Sequence, residues 1–326
     1  PGLSAAQPAS RPFAPGPFAP GPFLPGPLEA ARRASCPKDA GVQAAAQPGE
    51  PVAGFKARPI ALSRLARFGL QRRQADQLRF VAGFHLTSDD PAFGGLSALA
   101  WDGAGRLLGI SDDGRFVWME LDEDGLRPLK TRMAPMLDAA GAPLPDKTSR
   151  DAEGLALWGD LALVSFEQAH RVLAFDLGGC GAAARGQPVA PAEAVARALA
   201  GLGAPVGANA GMEGLALTAD QYLLAGLETQ PGGASPLSIR PLEEPPDFDL
   251  SIGLGAPPLT ALDILEGADG SLRVFSVHRA FDPRTGPAIV LIETRFERRD
   301  ASPGEAGASR ADIRFAKRDE RRLAEL

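Results

Sequence analysis

Four stretches of this chain follow one plan: GLSALAWDGAGRLLGISDDGRFVWMELD, DAEGLALWGDLALVSFEQAHRVLAFDL, GMEGLALTADQYLLAGLETQ and LTALDILEGADGSLRVFSVHRAFDPRTGPAIVLIETRF. Each reads as an apolar strand, a turn of Gly and Asp, a second strand and a polar end, and most add a third strand. Aligned on Ser97, Glu153, Glu213 and Thr260, the units recur every 47 to 60 residues. Such a period, with three or four strands per unit, is the signature of β-propeller blades, which bury their faces by stacking on one another. The expected fold is all-β, an antiparallel propeller over residues 76–326.

In an antiparallel hairpin, facing residues have numbers that sum to a constant. Pairing Glu153 with Glu167 centres its hairpin on Asp160, and Glu213 with Glu228 centres between Asp220 and Gln221. Ser97 with Asp112 centres between Ala104 and Gly105, and Thr260 with His278 on Asp269. All four centres fall on turn residues. Residues two apart share a face, so this pairing puts Glu153, Leu155 and Leu157 with Leu163, Ser165 and Glu167. Each hairpin then delivers its polar ends side by side at one mouth of the central channel.

Carboxylates placed opposite one another repel, so a compensating charge is expected. The candidates are a divalent cation, the arginines Arg150, Arg171 and Arg279, or solvent. For one pair alone, solvent or an arginine suffices; recurrence in register across the repeats points to a metal. Calcium takes about 6 to 8 oxygen ligands and suits carboxylates better than zinc does, making Asp112, Asp113, Glu153, Glu167, Glu213 and Glu228 the expected ligands. His278 breaks the acidic pattern with a group that could exchange protons or sit structurally on a loop, and Arg279 beside it suits an anion.

The rest of the chain bounds the answer. Residues 1–75 are rich in Pro, Ala and Gly, with PFAPG, PFAPG and PFLPG around Phe13, Phe18 and Phe23, and are expected to be extended and disordered. Within or near that segment, RLARFGLQRR (Arg64–Arg73) could form a basic helical turn, and PAEAVARALAGL (Pro191–Leu202) is the one helix expected in the propeller. A net charge of −6 argues against nucleic acid as a partner. No apolar run reaches the roughly 18 residues of a membrane helix. Cys36 and Cys180 allow at most one disulfide and have no zinc spacing. There is no GxSxG elbow and no P-loop.

GGLSALAWDGAGRLLGISDDGR, DAEGLAL with SFE, GMEGLAL with GLE, and LTALDIL with VHRAFDP resemble the phytase-like bacterial propeller proteins described as having esterase-like activity of phytase. The resemblance runs from about Arg79 to Phe296. It implies a six-bladed propeller, exported to the periplasm or exterior, acting on phosphoric or other esters. The family's motifs correspond here to Asp112 and Asp113, Asp151 and Glu153, Glu167, and His278 with Arg279. His278 stands where the family commonly has an acidic residue. The family continues into a further NFEGIA-like repeat, whereas this chain stops at RRLAEL, so an incomplete arc lacking its C-terminal blade is expected.

These readings converge on a monomeric, calcium-assisted hydrolase of small phosphoric esters. Catalysis is expected from Glu153, Glu167, His278 and Arg279, with Arg150, Arg171 and Arg279 binding substrate. Two rivals stand beside it: an exported propeller that binds a ligand or protein partner without catalysis, and a lactonase or carboxylesterase with the same metal geometry.

Overall fold

The computed structural model describes residues 26–36, 48–60, 80–102, 105–190, 192–202, 211–284, 286–299 and 313–325. Among these residues helix α1 (Pro27–Ser35) comes first, then the short strands β1 (Glu50–Pro51), β2 (Lys56–Pro59) and β3 (Phe84–Thr87). Four antiparallel sheets follow, arranged as the blades of a propeller. Blade 1 is β4 (Leu96–Trp101), β5 (Arg106–Ser111), β6 (Arg115–Leu121) and β7 (Pro128–Pro135), with β1 paired on its outer edge. After α2 (Lys147–Arg150), blade 2 is β8 (Ala152–Trp158), β9 (Leu161–Phe166), β10 (Arg171–Asp176) and, beyond α3 (Leu177–Cys180), β11 (Gln187–Ala190). Helix α4 (Ala192–Ala200) lies where the sequence predicts a helix. Blade 3 is β12 (Met212–Leu217), β13 (Tyr222–Leu227), β14 (Ser235–Pro241) and β15 (Leu250–Ile252). Blade 4 is β16 (Leu259–Glu266), β17 (Leu272–Asp282), β18 (Gly286–Arg299) and β19 (Arg314–Glu325). Residues 321–325 of the RRLAEL stretch thus belong to the outer strand of blade 4.

The innermost strands pack in the order β4, β8, β12, β16, with β4 and β16 at the two ends of the series. Both end strands expose apolar side chains, Leu99 and Trp101 on β4 and Leu265 on β16.

Period-two alternation sends successive side chains of one strand into different interfaces. Leu155, Val164, Phe166 and Phe175 of blade 2 pack with Ile110, Phe116 and Ala134 of blade 1, where Phe116 and Phe175 meet edge to face at 5.1 Å. Their strand neighbours Ala156, Leu161, Leu163 and Val172 pack with Leu215, Leu223 and Ala225 of blade 3. Tyr222, Leu224 and Ile239 of blade 3 meet Leu262, Val274, Phe296 and Phe315 of blade 4. The expected grouping of Leu155 with Leu163 is therefore corrected, since the two face opposite blades.

Two parts of the 1–75 segment are also corrected from disorder. PLEAARRAS has its only proline at the helix start, where the missing N–H costs nothing, and forms α1. Leu28 and Ala31 are buried against Val172, Val189 and Leu199. Ser35 Oγ accepts the Asp176 N–H at 2.9 Å and donates to the Arg185 carbonyl at 3.0 Å, and Cys36 forms a disulfide with Cys180. Farther on, β2 pairs with β3, and Phe55 packs on Phe93 beside the outward face of blade 1. The Phe13, Phe18 and Phe23 repeat and the Arg64–Arg73 segment lie outside the described residues.

His278 occupies a strand rather than a loop. It is fully buried, with ring nitrogens bonded to Ser276 Oγ and the Pro257 carbonyl, both at 2.9 Å. Gly253 (φ +71°) backs onto this ring, and a Cβ there would fall 2.2 Å from His278 Cε1. Combining that clash with left-handed backbone, Gly253→Ala is expected to destabilise the protein by about 2–4 kcal/mol, read by urea titration.

Candidate functional site

The mouth is built by a defect shared by all four blades. In each inner hairpin the register slips by one residue at the mouth end, between Leu96 and Ala98, Ala152 and Leu155, Met212 and Gly214, and Leu259 and Ala261. The slip is a β-bulge, in which two residues on the inner strand oppose one on its partner. Ser97, Glu213 and Thr260 are the extra residues; in blade 2, Glu153 and Gly154 together face Ser165. Ser165 is wholly buried and stabilises this bulge, accepting the Gly154 N–H and donating to the Met212 carbonyl, both at 2.9 Å. Ser165→Ala leaves both groups without that partner. We expect it to cost about 1–3 kcal/mol, measured by denaturant unfolding, and to weaken any ion binding that needs Glu153 in place.

Beyond the bulge the pairing continues one residue out of the expected step. The carbonyls of Gly95, Asp151, Gly211 and Pro258 accept the N–H groups of Asp112, Glu167, Glu228 and Arg279 at 2.9, 2.9, 3.1 and 2.9 Å. Glu167 is therefore opposite Asp151 rather than Glu153. The fourth member of the Asp112, Glu167, Glu228 series is Arg279, while His278 matches the inward positions Ser111, Phe166 and Leu227. The proposed catalytic role of His278 is corrected accordingly: it is a core residue of blade 4, and burial holds its pKa below the usual imidazole value.

Two overlapping groups of carboxylates result, Asp151–Glu153–Glu167 and Glu167–Glu213–Glu228, each with one oxygen per residue within 4.8 Å of the others. Glu167 is common to both. Asp151 and Glu167 are buried and the rest half-buried. Burial, reinforced by the neighbouring carboxylates, pushes Glu153 and Glu167 up to about 7 and Glu213 to about 9. Ser97 lowers Glu153 somewhat by hydrogen bonding, and Arg279 lowers Glu213 and Glu228 through its charge. Glu228 is nonetheless raised, chiefly by burial.

The other expected ligands and cations are differently placed. Asp112 lies 3.3 Å from Lys147 Nζ, and Asp113 pairs with Arg150 at 2.8 Å. Arg171 stacks on Phe166 at 4.5 Å and donates to the Ser149 carbonyl at 2.5 Å, which ties blade 2 to α2. Lys147 was missed in the sequence because it sits in the polar KTSR stretch ahead of the motif. His170 is a further neighbour, since a Cβ on Gly211 would meet both Glu167 and the His170 ring.

The donors fit calcium. All are carboxylate oxygens, the hard donors that calcium takes. Among the described residues, Glu213 and Glu228 accept no hydrogen bond, while Glu167 accepts one from Gly211 N–H at 3.4 Å.

Fold and site together define an antiparallel β-propeller that gathers carboxylates at one end of its inner strands. The family model described as "Phytase-like: Esterase-like activity of phytase" matches residues 91–325, and the chain belongs to that family. No curated protein matches it. Among solved structures, it is similar to Chaetomium thermophilum Sqt1 bound to the N-terminus of ribosomal protein L10, at 12% identity and TM-score 0.34 over 66% of this chain. That match spans 49% of the Sqt1 chain. A luciferin-regenerating enzyme is similar at 13% identity and TM-score 0.31, over 60% of this chain and 73% of its own.

Proposed function

We propose that the protein is a cation-assisted ester hydrolase acting at the acidic mouth, with phosphoric esters as the favoured substrate class and calcium as the cation. The observation that carries this reading is the convergence of Asp151, Glu153, Glu167, Glu213 and Glu228, with Arg279 in register beside them. Carboxylates so crowded repel, and their pKa values are raised first by burial and further by that repulsion. Family membership supports ester hydrolysis.

Glu167, Glu213 and Glu228 would hold the ion, whose contribution is to offset substrate charge and polarise a water. Arg279 supplies a guanidinium for an anionic ester oxygen. Glu153 is outside the Glu167–Glu213–Glu228 group and close to neutral pKa, so its carboxylate is the base to take a proton from water. The Cys36–Cys180 disulfide supports an oxidising compartment, the periplasm or the exterior. No helix of the described residues is long and apolar enough to cross a membrane.

The test combines a calcium-dependent melting shift with rates on phosphomonoester, lactone and carboxylester panels. Calcium-dependent phosphomonoester hydrolysis that falls at least 100-fold in Glu167→Gln is expected. Selective lactone or carboxylester turnover would instead favour the second ester class. Absence of both a calcium shift and turnover rejects the proposal. Lys147 pairs with Asp151 and Asp112, and Arg150 with Asp113, offsetting part of that charge, which favours a second reading, a non-catalytic ligand-binding mouth. That reading expects ligand binding to survive Glu153→Gln and Glu213→Gln.

A further inference from the structure

The two carboxylate groups are alike in composition but not in what already serves them. Lys147 Nζ lies 2.5 Å from Asp151 Oδ1, donates to the Asp112 carbonyl at 2.6 Å and approaches Asp112 Oδ2 at 3.3 Å. An ammonium has three donors and no acceptor, so these contacts use its capacity. Gln168 Nε2 donates to the other oxygen of Asp151 at 2.7 Å. Both Asp151 oxygens are thus engaged by protein donors, and a fixed positive charge sits at that end. Asp146 Oδ1 caps the helix by accepting the Ser149 N–H at 2.8 Å, and Arg171 bonds the Ser149 carbonyl, so the segment carrying Lys147 is anchored. At the other end, Glu213 and Glu228 have no described hydrogen-bond partner, and their positive neighbour Arg279 acts through its charge.

We propose that Lys147 is a tethered cation that fills the Asp151 end of the carboxylate row and directs the exchangeable divalent ion to the Glu167–Glu213–Glu228 end. This rests on the metal reading above. A divalent ion beside Asp151 would meet the ammonium at short range, where like charges repel strongly in a part-buried site. Lys147 is accordingly a positioning residue: it sets the number and place of the ions rather than touching substrate. With the ammonium removed, Asp151, Glu153 and Glu167 become a second open oxygen site sharing Glu167 with the first.

Calorimetric titration with calcium alone reads this directly. The parent and Lys147→Arg are expected to bind one ion per chain, and Lys147→Met two. Lys147→Met binding calcium with the parental stoichiometry overturns the proposal while leaving the metal reading intact; a parent that takes up no calcium overturns both. If Lys147→Met does not fold, Glu228→Gln and Asp151→Asn decide. Glu228→Gln is expected to weaken parental calcium affinity at least 10-fold and Asp151→Asn less than 3-fold, and the reverse order overturns the proposal.

Discussion

Glu213→Gln is expected to be more stable than the parent when divalent ions are removed by chelation, by about 2–3 kcal/mol at pH 7. The basis is linkage. The Glu213 carboxyl ionises near 4.5 in the unfolded chain and only at about 9 in the folded one. Between those values the folded state binds more protons, so stability is fully present below about pH 4.5 and declines as pH rises towards 9. At pH 7 that mismatch corresponds to about 3 kcal/mol at most, with burial the leading cause and the charges of Glu153 and Glu167 adding to it. A glutamine amide does not ionise, so the decline should flatten. The parent should gain stability from calcium and Glu213→Gln should gain much less. Differential scanning calorimetry from pH 5 to pH 9, with chelator and with calcium, gives both comparisons. A chelated Glu213→Gln protein that melts below the parent at pH 7 would show that a buried, ionised Glu213 does not cost the fold stability.

Reduction of the Cys36–Cys180 disulfide, or Cys36→Ala, is expected to lower stability by about 2–4 kcal/mol, equivalent to roughly 5–15 °C in Tm for a domain of this size. The bond joins residues 144 apart in sequence, so breaking it restores considerable freedom to the unfolded chain. It also loosens α1, whose Leu28 and Ala31 cover Val172, Val189 and Leu199. Ser35 would lose its anchored position between Asp176 and Arg185. Calorimetry with and without reductant measures the loss, and limited proteolysis reports whether α1 detaches. An unchanged melting temperature under conditions that demonstrably free both thiols would contradict this account.

The blade repeat was legible because hairpins advertise themselves through alternating apolar residues and Gly/Asp turns. Register was less so. A bulge of one residue shifts the apparent centre of a hairpin by only half a residue, which the turns of these blades absorb: Gly159–Asp160 satisfies either pairing. Hence Asp160 fits the arithmetic, yet that pairing puts Leu155 on one face with Leu163 and His278 level with Glu167, where Arg279 belongs. The carboxylates themselves were visible as recurring letters. Their division into two groups sharing Glu167 was not, because Asp151 joins them through pairing across the hairpin. Lys147 escaped notice for a different reason: its significance is its reach to Asp112, 35 residues away in sequence. Helix α1 was obscured by the proline-rich composition around it, although PLEAARRAS itself has helical spacing.

The four bulges also separate two kinds of inheritance. A residue without a partner of its own across the hairpin can change without repacking the sheet, and the four blades illustrate this by carrying Ser97, Glu153, Glu213 and Thr260 at equivalent places on similar frames. Mutation can therefore sample the mouth one blade at a time while the interfaces between blades stay under their own constraint. A scaffold of this kind can change the chemistry of its mouth faster than it can change its shape, and relatives with different chemistry should differ first at these four positions.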